Sequence, residues 1–387
     1  MRILLVIPYF YPAEAFGGPV KVAFDVGKEL VKRGHEVVVF TSDARDLENR
    51  LGVESDEVEG MSVYYFRNLS MFFVKWSKLF ITPDLHRKMK LDIKSFDIIH
   101  AHEYTTYQNI VIHKFAKKYG VPYVLQTHGS LPKIGRQARK WLYDVFFGRR
   151  LLRDASKVIA LSQVEAEQYK CADVPAEKIA IVPNGIDLTA YANLPPKGSF
   201  KKKFGLDKNE KIVLYLGRIH EIKGIDILVR AFANILHKLG DVRLVIVGPN
   251  DGYLGEIEAL IKALRIENKV LVSGPLYGVA KLEAYVDADV YVLPSRYEAF
   301  PMSVLEAVAC GTPVILTENC GIAEYFRDKT GLVVKTDSPS NLQEALLEML
   351  MNREKQKVFR ENCKTVMQKF NISETVSKLE EAYEELL

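Results

Sequence analysis

The sequence predicts an α/β protein of two domains, each built on a parallel sheet. Three observations lead there. A chain of 387 residues is too long for one hydrophobic core and suits two. In both halves short, nearly continuous apolar runs alternate with helical patterns, as in βαβ units whose strands are covered on both faces. Between the halves lies a stretch rich in Pro, Gly and Lys, residues 187–210, with the composition of a linker region.

In chain order, the strand candidates of the first half are residues 2–7, 36–40, 96–101, 122–127, 157–161 and 178–182. Those of the second are 211–217, 243–248, 269–274, 289–294 and 312–317. The expected division is a first domain over 1–186, a linker region over 187–210, a second domain over 211–370 and a last helix over 371–387. In that helix Ser373 is a candidate N-cap, and Val376, Leu379, Tyr383 and Leu387 recur at helical spacing.

Composition narrows the function classes. The hydrophobic fraction is 48% and the charged fraction 26%, enough to fill two cores and too apolar for disorder. A formal net charge of +4 is too weak to argue for nucleic acid. The opening "MRILLVIPYFYP" reads as a first strand rather than a signal peptide, and no apolar run reaches the length of a membrane span. Cys171, Cys310, Cys320 and Cys363 are scattered without metal-ligand spacing, which suits reduced thiols in a cytoplasmic protein. Two local basic clusters stand out. One comprises Lys75, Lys78, Arg87, Lys88 and Lys90, the other Lys133, Arg136, Arg139, Lys140, Arg149, Arg150 and Arg153. Solvated helix faces account for either; peripheral contact with an anionic membrane is the alternative.

In open α/β sheets ligands gather beyond the carboxyl ends of strands, so the residues just after each strand carry the functional signal. After the first strand Gly17 and Gly18 precede a helix whose amides suit an anion. The chain has neither G-x-G-x-x-G nor G-x-x-x-x-G-K-[ST], which disfavours a dinucleotide enzyme and a P-loop ATPase. His128, with Gly129 behind it, follows the strand at 122–127 and could reach a ligand; His100 and His102 follow another strand without a glycine nearby. In "LGRIHEIKGID", Gly217, Arg218 and Lys223 sit where a strand gives way to a helix. A guanidinium and an ammonium there suit a diphosphate.

"SRYEAFPMSVLEAVACGTPVI" places Glu298 on a loop and Glu306 inside the following helix, with Pro301 expected in its first turn. The two acids are about 12 Å apart at helical rise, too far for an acid/base pair. That spacing fits two ends of an elongated ligand, each carboxylate accepting hydroxyls, with the Met302 and Ser303 amides facing its negative middle.

These residues resemble retaining glycosyltransferases of family 4. "EAFPMSVLE" is similar to the E-x7-E signature and "GRIHEIKG" to the R-x4-K diphosphate motif; "FGGPVKVAFDVGKELVKRGHEVVVFT", "THGS" and "VPNGID" follow the family's order. The resemblance spans nearly the whole chain and implies a GT-B fold, two facing Rossmann-like domains with an interdomain cleft and a last helix returning to the first domain. It implies transfer of a hexose-type sugar from a UDP- or GDP-linked donor to a saccharide or lipid-linked acceptor, in glycan or glycolipid synthesis; the sequence has no D-x-D-type cluster placed to hold a divalent ion against a diphosphate, so no metal or other cofactor is expected. By position, Arg218 and Lys223 would neutralise the diphosphate, Glu306 would hold the ribose and Glu298 the donor sugar. Gly17, Gly18, Asn184, Gly217, Phe300, Met302 and Ser303 would line the donor, Leu276 the base, and His128 would sit near the reacting carbon. Pro301 departs from the pattern: many relatives have glycine there, and proline has no amide to donate. A nucleotide-sugar 2-epimerase and a non-catalytic nucleotide-sugar binder share this architecture; the E-x7-E spacing favours transfer.

Overall fold

A computed structural model describes residues 1–131 and 137–387. The chain divides into two compact units, 1–186 together with 372–387, and 187–371.

The first unit is built on an eight-stranded sheet of β1 (Arg2–Val6), β2 (Glu36–Ser42), β3 (Ser55–Val58), β4 (Met61–Phe66), β5 (Ile98–His102), β6 (Tyr123–Gln126), β7 (Lys157–Ala160) and β8 (Ile179–Ile181). Its order is β3-β4-β2-β1-β5-β6-β7-β8, parallel except for the β3–β4 pair. β1 is buried from Ile3 to Val6 because neighbouring strands and helices on both faces cover it. The β3–β4 hairpin escapes the sequence reading. Its first strand is largely exposed and acidic, and its turn needs left-handed φ at Glu59 and Gly60, a primed hairpin geometry.

The last helix, Ile372–Glu384, completes this unit. Val376, Leu379 and Tyr383 are buried, Arg33 bonds to Ser373, Ser377 and Glu380, and Lys157 pairs with Glu385. The Ile372 amide donates to the Ile186 carbonyl at 3.0 Å, so the chain leaves and re-enters the unit at one place.

The second unit has six parallel strands, β9 (Lys211–Leu216), β10 (Val242–Val247), β11 (Val270–Gly274), β12 (Val290–Leu293), β13 (Val314–Thr317) and β14 (Gly331–Val334), in the order β11-β10-β9-β12-β13-β14. The stretch expected as a linker region is folded into this unit. Residues 199–203 form a short helix, and the amides of Gly198 and Lys201 bond to the buried Asp287 carboxylate. Its polar composition records surface exposure, not length to spare.

Both sheets reverse their direction of growth at one strand, β1 in the first and β9 in the second. Loops leaving such a strand and its neighbour diverge, opening space at their carboxyl ends. Of the two basic clusters, Lys133, Arg136 and the Arg139 side chain lie outside the described residues. Among the described residues no helix is long and apolar enough to cross a membrane.

Candidate active site

In the second unit the β9 and β12 loops meet. Arg218 follows β9 directly, its carbonyl accepting from the buried Tyr215 hydroxyl at 2.8 Å, and its guanidinium pairs with Asp251 on the β10 loop. Lys223 ends a single helical turn, Glu221–Lys223, and its ammonium pairs with Glu298; both side chains are largely buried. Gly224 is left-handed (φ 65°), and a side chain there would collide with the Pro294 carbonyl, so the β9 and β12 loops pack backbone against backbone.

Arg296, which sequence reading passes over, ties these loops together. Its guanidinium forks onto Asp226 at 3.0 and 2.8 Å, donates to the Glu221 carbonyl and reaches Asp337 at 2.9 Å. Hydrogen bonding to Asp226 raises its pKa further. Glu298 is fixed by a short bridge to Cys320, with its amide bonded to Asn319 and its carbonyl accepting from Gly321.

The helix begins at Met302 and runs to Ala309, so Pro301 is its N-cap (φ −76°, ψ 114°) and not part of its first turn. No side chain caps this end, so its first amides have no side-chain acceptor at the positive end of the helix dipole. Glu306 lies inside the helix as expected and is buried. Lys281 donates to its Oε1 at 2.7 Å and Tyr285 to its Oε2 at 3.1 Å. The Tyr291 hydroxyl lies 3.0 Å from the Leu216 carbonyl and 2.8 Å from Ser303 Oγ, linking β9 to the helix start. Phe300 and Met302 are buried, Ser303 half-buried, and Leu276 half-buried in the β11 loop. The structure thus brings Arg218, Lys223, Glu298 and the helix start onto adjoining loops of one sheet edge.

Gly17, Gly18, His128 and Asn184 belong to the first unit. Gly17 is the N-cap (φ 86°) of the helix Gly18–Lys32. Asn184 is buried, its Oδ1 accepting from Gln126 at 3.2 Å. His128 and Gly129 are both left-handed (φ 51° and 76°), a conformation that non-glycine residues adopt at a strain. The strain is held by Glu165, which sequence reading also misses. This buried carboxylate accepts from the Gly129 amide at 2.7 Å, the Thr127 hydroxyl at 2.9 Å and the Leu161 amide at 2.7 Å.

His128 is bound to a histidine rather than to local backbone. Its Nε2 lies 2.9 Å from His102 Nδ1, and His100, His102 and His128 stack with ring separations of 4.3 and 5.2 Å. Burial holds all three imidazoles below their ordinary value, His100 and His128 at about 3, so the column is neutral at pH 7. The buried His100 anchors it through the Tyr383 hydroxyl at 2.6 Å.

Beside it stands Glu103, left-handed (φ 65°) at the end of β5, taking a hydrogen bond from Tyr9 at 2.9 Å. Burial, helped by Glu165 and opposed by hydrogen bonds from Tyr9 and Ser130, raises this carboxyl to about 7. A folded pKa above the unfolded value means that the neutral acid's stabilising contribution, full below about pH 4.5, is lost as pH rises towards 7. Glu103→Gln should therefore be more stable than the parent at pH 8, by up to about 3 kcal/mol, and equal to it near pH 4.5. Urea melts at the two pH values check this; identical pH slopes would refute it.

Comparison with known proteins places the chain. A model of Glycosyltransferase Family 4 matches residues 16–190, and one of Glycosyl transferases group 1 matches residues 196–366. An uncharacterized glycosyltransferase of Methanocaldococcus jannaschii is 30% identical over 353 residues, covering 88% of this chain and 87% of its own. The chain belongs to glycosyltransferase family 4. Its fold is GT-B. Sucrose-phosphate synthase from Thermosynechococcus elongatus superposes on this glycosyltransferase with a TM-score of 0.83 at 23% identity, over 100% of this chain and 99% of its own. Anabaena HepE in complex with UDP-glucose does so with a TM-score of 0.79 at 21% identity, over 100% and 99%.

Proposed function

We propose that this glycosyltransferase moves a hexose, with retention of its anomeric configuration, from a UDP- or GDP-sugar to a saccharide or lipid-linked acceptor in glycan or glycolipid synthesis. One observation carries the proposal: Lys223 and Glu298 touch, next to Arg218 and an uncapped helix start. A cation bound to the carboxylate that would hold sugar hydroxyls marks where a sugar meets its phosphate. On this reading the diphosphate exchanges places with Asp251 at Arg218 and shares Lys223 with Glu298, while Glu306, steadied by Lys281 and Tyr285, accepts the ribose hydroxyls.

As the bond from the anomeric carbon to the β-phosphate oxygen breaks, charge develops on the diphosphate, which Arg218, released from Asp251, Lys223 and the Met302 and Ser303 amides would meet. The acceptor oxygen attacks from the face that the diphosphate leaves and gives its proton to a phosphate oxygen. By the family resemblance His128, which burial keeps neutral, would offer the sugar a hydrogen bond without adding charge. No divalent ion enters this scheme.

A thermal-shift panel of UDP-, GDP- and ADP-sugars tests the donor, because a ligand of the folded state raises the melting temperature. A rise with a UDP- or GDP-sugar is expected; a rise confined to the ADP-sugar, or none, refutes this assignment. With an α-linked donor the product should carry an α linkage by NMR coupling, and a β linkage would exclude retention.

A further inference from the structure

The surface of the first unit carries aromatic rings that its core does not use. In the helix Met71–Ser77, Val74 is fully buried against Phe80, while Phe72 and Trp76 are 65% and 66% exposed and Phe73 stands beside them. A second group lies on the helical stretch after residue 140, where Trp141, Phe146 and Phe147 are exposed, Phe146 by 60%. Single exposed rings are ordinary; two clusters in one unit are not.

Both clusters are tied to the loop that follows β5. Gln108 Nε2 donates to the Phe80 carbonyl at 3.0 Å on one side, and the Tyr143 hydroxyl donates to the Tyr104 carbonyl at 2.8 Å on the other. Residues 104–108 thus lie between two ring-bearing segments. Cations accompany the rings. Residues 71–90 carry five Lys or Arg against one Asp, and residues 137–153 likewise five against one, although Lys140 is buried and donates to the Ser130 carbonyl. Arg149 and Arg150 are exposed just beyond Gly148, and Lys75 and Lys78 flank Trp76, Lys75 pairing with Glu48 at 2.6 Å.

We propose that these two segments form a single edge that seats on an anionic lipid bilayer, the rings entering the interfacial zone and the cations meeting lipid phosphates. The charge decides the occupant. A second copy of this chain would bring Arg149, Arg150 and Lys78 against their own kind, whereas an anionic headgroup layer complements them. Indole and phenyl rings suit the boundary between headgroup and acyl chain, and this helix is too short to span it. The inference goes beyond the transfer reaction and stands or falls without it.

Co-sedimentation with phosphatidylcholine vesicles, with and without phosphatidylglycerol, tests it. Binding should require the anionic lipid and weaken at least about tenfold at high salt, as surface charge is screened. Trp76 emission should shift to the blue on binding. The double variant Phe72→Ser/Trp76→Ser should bind at least about tenfold more weakly, and Phe146→Ser should weaken binding in the same direction. Both variants should keep the parent's melting temperature and its thermal shift with nucleotide sugar. No binding at low salt overturns the proposal, as does equal binding to neutral vesicles. Loss of self-association in the serine variants with vesicle binding unchanged would assign the rings to a second copy and overturn it as well. Since the donor shift is measured on the same samples, a failure here is distinguishable from a failure of the proposed function.

Discussion

Lys223→Ala should lower turnover by about two to three powers of ten, with kcat and kcat/KM falling together. On the reading proposed here, the ammonium meets the charge of the departing diphosphate, and that charge is larger in the transition state than in the bound donor. Its pairing with Glu298 holds it in place beforehand, so little reorganisation is needed when the bond breaks. The substitution also leaves the largely buried Glu298 carboxylate without its cation, which destabilises the protein by an amount on the order of 2 kcal/mol or more. The two effects separate in the double variant Lys223→Ala/Glu298→Gln, which should regain melting temperature but not rate. Arg218→Ala should act on the same scale. A normal rate in Lys223→Ala would remove the leaving-group role.

Gly248→Ala should be the most destabilising single methyl addition in the second unit. Gly248 follows β10 at φ 150°, and its amide donates to the Gly274 carbonyl at 3.0 Å, while the Gly217 amide donates to the Val247 carbonyl at 3.0 Å. The ends of β9, β10 and β11 are thus stitched within a few residues. A Cβ at this position would overlap the Gly217 carbonyl oxygen, a backbone atom that cannot swing aside. The φ is one that L-residues rarely adopt, so overlap and strain add. A loss of about 3 kcal/mol or more is expected, lowering the second unit's melting transition by about 6–12 °C. Because Gly217 adjoins Arg218, the surviving folded protein should also bind nucleotide sugar more weakly. An unchanged melt would mean that the β9 and β10 ends can part.

The fold was legible wherever it rested on apolar runs. All eleven expected strands are present, with ends shifted by a residue or two. Of the missed strands, β3 and β14 have four residues each, and β3 and β4 owe their existence to a turn and to pairing with neighbours. "MSVYYF" does alternate in burial, Met61, Val63 and Tyr65 being buried while Ser62 is exposed and Tyr64 and Phe66 are half-buried against Phe40, and a closer reading of the Glu59-Gly60 turn would have found the hairpin. The site was legible for the same local reason: functional side chains follow strands, and strand ends can be read. Their partners could not be. Asp251 is 33 residues from Arg218, Asp226 is 70 from Arg296, and Lys281 is 25 from Glu306. Nothing local distinguishes these from other surface charges until the sheet brings them together. Glu103 is the clearest such case: it stands in "IIHAHEY" beside two histidines that drew notice, yet its raised pKa comes from burial that only the fold creates.

The return of the helix Ile372–Glu384 to the first unit sets an order of events during synthesis. Everything the second unit needs has left the ribosome before this helix emerges, whereas the sheet built from the earliest residues must wait for it. Until then Arg33 and His35 lack Glu380, and His100 lacks the hydroxyl of Tyr383. The half that is translated first is therefore the half that matures last, and in the interval the face awaiting Val376, Leu379 and Tyr383 is open to chaperones.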